Sequence, residues 1–339
     1  RLNEKIDKKV KESLVFYCNK DENTYRVYML NTMTGQEVNI KNCNEKNNFA
    51  ETVFKVEHVG YTYGLKTVNE CKVLEDISFE VHKGECIGLI GASGSGKTTL
   101  IKHLNGLLKA NSGAIYFEGK NIYDKKYNLT QLRREVGLVF QYPENQLFCR
   151  TVLDDVCYGP LNLGMSREEA EKSAKACLKL VDIDEKYYTS SPLDLSGGEK
   201  RRVAIAGVLA MNPKVLVLDE PAAGLDPETK HKIFDMLMKI KKELQIAIIL
   251  VSHHMEDVAE YTDTVLVLEK GKLTLNGAPE EVFLNTEYLH SIGIGIPQVT
   301  NITEKLMQKG IGLPHPAITV AQAEEMLMSL FVEAKEASE

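Results

Sequence analysis

Gly91, Gly96, Lys97 and Thr98 sit in the stretch LIGASGSGKTTL, residues 89 to 100, at the spacing G-x-x-x-x-G-K-(S/T). Glycines placed this way let backbone N–H groups wrap a phosphate chain, in a cradle that would run through Gly91, Ser93, Gly94, Gly96, Lys97, Thr98 and Thr99. Lys97 would reach the β- and γ-phosphates, and the Thr98 hydroxyl would hold Mg²⁺. The run TTLIKHLNGLL reads as a helix whose N-terminal dipole faces the anion. A merely glycine-rich strand-to-helix turn is the alternative, but the apolar run ECIGLI before the loop is the buried strand that the motif requires. The pattern asks for a nucleotide.

VLVLDE, residues 215 to 220, ends four apolar residues in two carboxylates, at what should be the C-terminal edge of a parallel strand, where ligands of α/β sheets collect. Asp219 would enter the Mg²⁺ shell, and Glu220, one residue on, would polarise the water attacking the γ-phosphate. Between the two motifs lies LSGGEKRRVAIAGVLAM, residues 195 to 211. Gly197 and Gly198 precede a helix with Val203, Ala206, Gly207 and Ala210 on one face, a second helix N-terminus able to take a phosphate. One nucleotide does not need two such ends.

L-S-G-G ahead of that strand resembles the signature of ABC ATPases, a P-loop NTPase family. The resemblance implies that Ser196, Gly197, Gly198 and Glu199 close onto ATP held by the opposite subunit of a head-to-tail dimer. Glu199 stands where the family has Gln, a departure that adds charge at that contact. By the same resemblance Tyr63 in VGYTYG stacks on adenine. Gln141 in LVFQYPENQLF is the Q-loop residue that touches Mg²⁺ or water, Asp226 in AAGLDP belongs to the D-loop, and His253 in ILVSHHMED senses the γ-phosphate. Glu220, His253 and Gln141 are thus the expected catalytic set, and Thr98, Gln141 and Asp219 the expected Mg²⁺ contacts. His254 is assigned nothing.

Over about residues 53 to 335 the likeness narrows. FQYPENQLFCRTVLDDVCYGPLNLG, GAPEEVF and LHSIGIGIPQVTNITEKLMQKGIGLP resemble the ATPases of energy-coupling-factor importers, the cobalt-transporter type. That resemblance implies a peripheral subunit on the cytoplasmic face of the cell membrane. Its partners would be a second ATPase, identical or not, a transmembrane coupling protein, and a small membrane subunit that binds vitamins or transition-metal ions. YPENQLF would meet the coupling protein, and the tail would help join the two ATPases.

The elements needed to position these residues are legible as pattern. ECIGLIG, VLVLDE and AIILVSH are the continuous apolar runs of a parallel sheet covered on both faces. LEDISFEVHKG, GAIYFEGK and TVLVLEKGKL read as strands of an antiparallel flap or sheet edge. Strands vanish between about 142 and 200, where SREEAEKSAKACLKLVDI carries Ala170, Ala174, Cys177, Leu178 and Val181 at helical spacing. The expected fold is therefore an α/β P-loop NTPase of ABC type with an antiparallel β subdomain, an inserted helical subdomain and a small C-terminal helical region. Its divisions are an N-terminal extension of unassigned role over 1–52, an ATPase domain over 53–280 and a C-terminal helical dimerisation region over 281–339. In the extension only YRVYMLN reads as a strand, followed by the turn signal TGQ. The last helix should start at Thr319 with Gln322 completing a capping box, and carry Ala323, Met326, Leu327 and Leu330 on one face, as core or as a partner surface.

With 339 residues, 43% hydrophobic and 26% charged, the chain can bury a sizeable core. A net charge of −7 argues against a nucleic-acid partner, which calls for a basic stripe. The seven cysteines form no C-x-x-C pair and read as reduced thiols. No apolar run is long enough to cross a bilayer, and RLNEKIDKKVKESL is too charged for a signal peptide. Three rival functions differ in sequence. A soluble ABC protein acting on ribosomes or DNA would carry two ATPase domains or long coiled coils. An exporter ATPase would differ at about 140–164 and 280–315, and a non-catalytic module would lack Lys97, Asp219, Glu220 or His253.

Overall fold

The computed structural model describes the backbone of residues 14–21, 24–31, 37–43 and 51–336, and the side chains of 51–332. The chain divides into two units, Arg1–Phe49 and Ala50–Glu339. In the first, β1 (Leu14–Asp21), β2 (Thr24–Asn31) and β3 (Glu37–Cys43) form an antiparallel meander, with Leu14 opposite Asn31 and Tyr25 opposite Cys43. The expected strand YRVYMLN lies in β2. Its two neighbours escape sequence reading because β3 offers only Val38 and Ile40 as apolar alternates, and β1 turns polar after Cys18. The TGQ turn lies outside the described residues.

The second unit carries two sheets. An antiparallel flap is built from β4 (Thr52–Tyr63), β5 (Cys71–His82), β7 (Ser112–Phe117) and β8 (Lys120–Asn121), in the order β5-β4-β7-β8. The main sheet uses β6 (Cys86–Ile90), β9 (Val136–Val139), β10 (Val215–Asp219), β11 (Ala247–Val251), β12 (Thr264–Glu269) and β13 (Lys272–Gly277), in the order β13-β12-β6-β11-β10-β9. Its strands are parallel except β13, which turns back antiparallel as the edge. TVLVLEKGKL is thus split: β12 lies inside the parallel sheet and only β13 is an edge.

Continuous apolar runs follow from two-sided cover. Leu216, Leu218, Ile248 and Leu250 point into one core with the helices, while Val215, Val217, Ala247 and Ile249 point into another with the flap. Asp219 pairs with Val251 and Leu89 with Val251, so the loops after β6, β10 and β11 leave at one edge.

Helix α1 (Lys97–Leu104) follows the glycine loop and stops short of GLL, because Gly106 takes a left-handed φ of 67°. After α2 (Leu129–Glu135) and β9 come α3 (Val152–Asn162), α4 (Arg167–Leu180) and α5 (Gly197–Leu209). In α4 a Ser166–Glu169 capping box sets the start, and Ala170, Ala174 and Leu178 face the core with Val181 beyond them, while Cys177 is half-buried. Beyond α6 (Pro227–Leu244) and α7 (Met255–Tyr261), the tail folds as α8 (Pro279–Phe283), α9 (Thr286–Ser291), α10 (Gln298–Gln308) and α11 (Val320–Glu336). Thr319 Oγ1 accepts from Gln322 N as expected, but Gln322 Oε1 accepts from Ile318 N rather than closing a box on Thr319. Of the α11 stripe, Ala323 is buried and Met326, Leu327 and Leu330 are half-buried. Among the described residues no helix is long and apolar enough to cross a membrane.

Candidate nucleotide site

Two glycines explain the shape of the loop after β6. Gly96 has a φ of 108°, which a side chain would strain, and a Cβ on Gly91 would land on the carbonyl oxygen of Leu268. The loop and the start of α1 wall a cavity of about 400 Å³, lined by Ser93, Gly94, Gly96, Lys97, Thr98 and Thr99 on one side and by Gln141, Asp219, Glu220 and His253 on the other. The strand ends thus deliver residues scattered over 160 positions of sequence, 93 to 253, to one space.

Lys97 is buried, and its Nζ donates to the carbonyls of Gly91 at 2.7 Å and Ala92 at 3.1 Å. Burial pushes its pKa down, against the pull of Glu220 and Asp219. Asp219, also buried, has its carboxyl pushed up by desolvation and then by the charge of Glu220. Thr98 Oγ1 stands 3.4 Å from Asp219 Oδ2. Both are hard oxygens, the donor type that suits Mg²⁺. Among the described residues no cluster of three or more His, Cys, Asp or Glu could hold a metal by itself. This set therefore fits Mg²⁺ in the way that ion usually binds, with phosphate oxygens completing the shell.

Glu220 is held from two sides. His253 Nε2 lies 3.0 Å from Oε1, and Gln141 Nε2 donates to Oε2 at 3.0 Å. Its backbone has a φ of 51°, while its N–H still donates to Val251 O at 2.9 Å. A left-handed φ in a residue other than glycine costs on the order of 1 kcal/mol and turns the side chain off the line of the strand. Here the residue lines the cavity.

Tyr63, at the end of β4, is outside the cavity lining but touches it: its hydroxyl is 3.4 Å from Thr99 Oγ1, and its ring stands edge-on to Tyr61. Ser196, Gly197, Gly198, Glu199 and Asp226 are not in the lining. Ser196 caps α5, accepting from Glu199 N at 3.3 Å, and Glu199 Oε2 accepts from Ser196 N at 2.8 Å and Ser196 Oγ at 2.6 Å. Those bonds hold the Glu199 carboxyl below its ordinary range. Asp226 caps α6 through Thr229 N at 3.0 Å, and the Thr229 methyl packs over Gly198. Ser196 to Glu199 and Asp226 are therefore held together by local contacts, outside the cavity that the glycine loop lines.

Arg201 was not among the expected residues. It is 1% exposed, forms a bidentate pair with Glu144 (2.6 and 3.1 Å), and donates to the carbonyls of Pro221 at 3.1 Å and Ala223 at 2.8 Å. One guanidinium thus ties the signature helix to the Q-loop segment and to the turn after Glu220. Its spacing to Ile205 and Leu209, i, i+4 and i+8 on a buried face, was the available signal. Ser95, at a variable position of the glycine motif, and Val73, which no motif marks, also line the cavity. A larger cavity, about 610 Å³, lies near Leu225, Asp257 and Val299, but there Lys230 already pairs with the buried Asp257 at 2.7 Å.

The ABC transporter family model matches residues 74–223. The chain is 49% identical over 277 residues to the energy-coupling factor transporter ATP-binding protein EcfA2 of Clostridium perfringens, covering 81% of this chain and 97% of that protein. It is 46% identical over 274 residues to the EcfA2 protein of Caldanaerobacter subterraneus, covering 81% and 96%. Among solved structures it is similar to cbiO1 from Clostridium perfringens, part of the ABC transporter complex cbiONQ, with a TM-score of 0.65, 39% identity, and 75% and 99% of the two chains covered. It is also similar to the ATP-binding cassette MJ0796, solved as a dimer in a post-hydrolysis state with ADP and Pi, with a TM-score of 0.59, 30% identity, and 67% and 98% covered.

Proposed function

The chain belongs to the ATP-binding proteins of energy-coupling factor transporters, within the ABC family, and from that membership we propose how its residues divide the work of ATP hydrolysis. The phosphates lie in the loop 91–99 beside Lys97, with adenine on Tyr63. Thr98, Asp219 and Gln141 would hold Mg²⁺, which would supply neutralisation of phosphate charge. Glu220 orients and polarises the attacking water, with His253 and Gln141 fixing its carboxylate. Catalysis on this reading is positioning and charge stabilisation, with no covalent intermediate.

One observation carries the proposal: Gln141 and His253 converge on Glu220 at 3.0 Å each in the lining of the loop's cavity, while the capped signature stands outside it. Half a site is assembled, and the other half is offered to another chain. A head-to-tail pair would complete both sites, and the dimeric state of MJ0796 supports that arrangement. The partner is a second ATPase, identical to this chain or not, joined partly through the region 281–339. Closure of the pair acts on a transmembrane coupling protein that meets YPENQLF and the helical segment 142–200. The complex would take up a vitamin or transition-metal ion chosen by a small membrane subunit, with this chain on the cytoplasmic face.

Two variants test the shared site. Lys97→Ala should abolish tight ATP binding by the full chain, since it removes the cation aimed at the phosphates. Ser196→Arg should leave this chain's own ATP affinity within about twofold, because the signature is not part of its cavity, yet stop phosphate release by the assembled complex. Loss of ATP affinity in Ser196→Arg, or full activity of that variant in the complex, would refute the division.

A further inference from the structure

The loop after β6 is braced from outside as well as by its own bonds, Ser95 N to Ala92 O at 3.1 Å among them. Behind it lies a cavity of about 330 Å³, with Ala92, Ser93, Gly94 and Ser95 on one wall and Ser291, Ile292 and Ile294 on another. Ser95 Oγ, buried there, has no hydrogen-bond partner among the described residues. The C-terminal side thus fills this wall of the loop loosely, whereas the β12–β13 turn bonds to its backbone directly.

That turn has two residues, Lys270 with φ 45° and Gly271 with φ 81°, the paired left-handed conformation that closes tight hairpins. Gly271 N donates to Ser95 O at 3.0 Å, and Gly271 O accepts from Glu75 N at 2.7 Å. A Cβ on Gly271 would land on the carbonyl oxygen of Val73. Ser95 and Val73 are both walls of the nucleotide cavity, so this one residue sits between two of its sides. At the start of the turn, Tyr288 of α9 donates its hydroxyl to Glu269 Oε2 at 3.1 Å.

We propose that Gly271 is a positioning residue for the phosphate cradle, and that the Tyr288–Glu269 bond is the handle through which the C-terminal helices set it. The inference rests on the reading that the loop 91–99 holds nucleotide phosphates. Any side chain at Gly271 must push Val73 away or pull Ser95 along, and either displacement spoils N–H donors that need to meet phosphate within a few tenths of an ångström. Loss of the Tyr288 hydroxyl frees the turn without a clash, so its effect has the same sign and a smaller size.

The test compares MgATP affinity of the full chain, by calorimetry, for the parent, Gly271→Ala, Tyr288→Phe and Gly84→Ala. Gly84 is the control: its φ is also left-handed, at 72°, but an added Cβ meets nothing nearer than Gln245 Oε1 at 3.9 Å. Gly271→Ala should weaken binding about tenfold and Tyr288→Phe about two- to threefold, while Gly84→Ala lowers thermal stability with affinity unchanged. In the assembled complex KM for ATP should rise by the same factors, with kcat falling less. A folded Gly271→Ala that binds as the parent does, or a Gly84→Ala that weakens binding equally, would overturn the inference. Should Gly271→Ala not fold, unchanged affinity in Tyr288→Phe overturns it alone. Absence of ATP binding by the parent would instead overturn the nucleotide reading itself.

Discussion

Gln141 Nε2 donates to Glu220 Oε2 at 3.0 Å, joining the loop after β9 to the residue that follows β10. The contact makes the orientation of the candidate catalytic carboxylate depend on the entrance to the helical segment. Movement of that segment can therefore reach the chemistry through one hydrogen bond.

Gln141→Ala removes this donor and leaves Glu220 held by His253 alone. In the assembled complex kcat should fall by at least about tenfold, with a smaller change in KM, because orientation matters most as charge develops. Steady-state phosphate release against ATP concentration reads both. An unchanged kcat would mean that the bond does not orient Glu220 during turnover.

Arg201→Met tests the tie between signature helix, Q-loop segment and the turn after Glu220. It leaves Glu144 without its partner and two carbonyls without a donor, so the full chain should lose about 3 kcal/mol or more in urea unfolding. Adding Glu144→Gln should recover part of that loss, since it removes the unpaired charge. Additive losses in the double variant would show that the two side chains do not act as a pair.

The candidate site was legible where residue types recur at short spacing, as from Gly91 to Thr99, or follow an apolar run, as Asp219, Glu220 and His253 do, and the structure gathers Ser93 to Thr99 with these three around one cavity. The parallel strands were legible because two-sided burial writes itself as uninterrupted apolar runs. What escaped is long-range or backbone-borne. Arg201 meets Glu144 across 57 positions, the support from Gly271 runs through N–H and C=O groups that every residue has, and the left-handed φ of Glu220 has no compositional mark. TVLVLE carries the same uninterrupted run, Val265 to Leu268 all buried, and reading it together with the alternating strand that follows hid its place beside β6.

Glu199, at a position where the family has Gln, is turned back onto its own helix end, and this gives it a pH signature. Bonds from Ser196 hold its pKa below the ordinary 4.5, so its stabilising contribution is present above that value and is lost as pH falls through the lowered one. Glu199→Gln keeps an oxygen acceptor for Ser196 N but does not titrate. The variant should therefore melt slightly below the parent at neutral pH and lose less stability as pH is lowered below 4.5, so that the difference closes. Identical acid profiles would mean the cap is not maintained in solution.

Replacement of Glu220 by Gln bears most directly on the catalytic assignment. The amide matches the carboxylate in shape and can still meet His253 and Gln141, but it polarises water far less. The measurement pairs MgATP binding by the full chain with phosphate release by the assembled complex. Binding retained within about threefold, with phosphate release cut at least about a hundredfold, is the expected result. Release at the parent rate would contradict the assignment of Glu220 as the catalytic carboxylate.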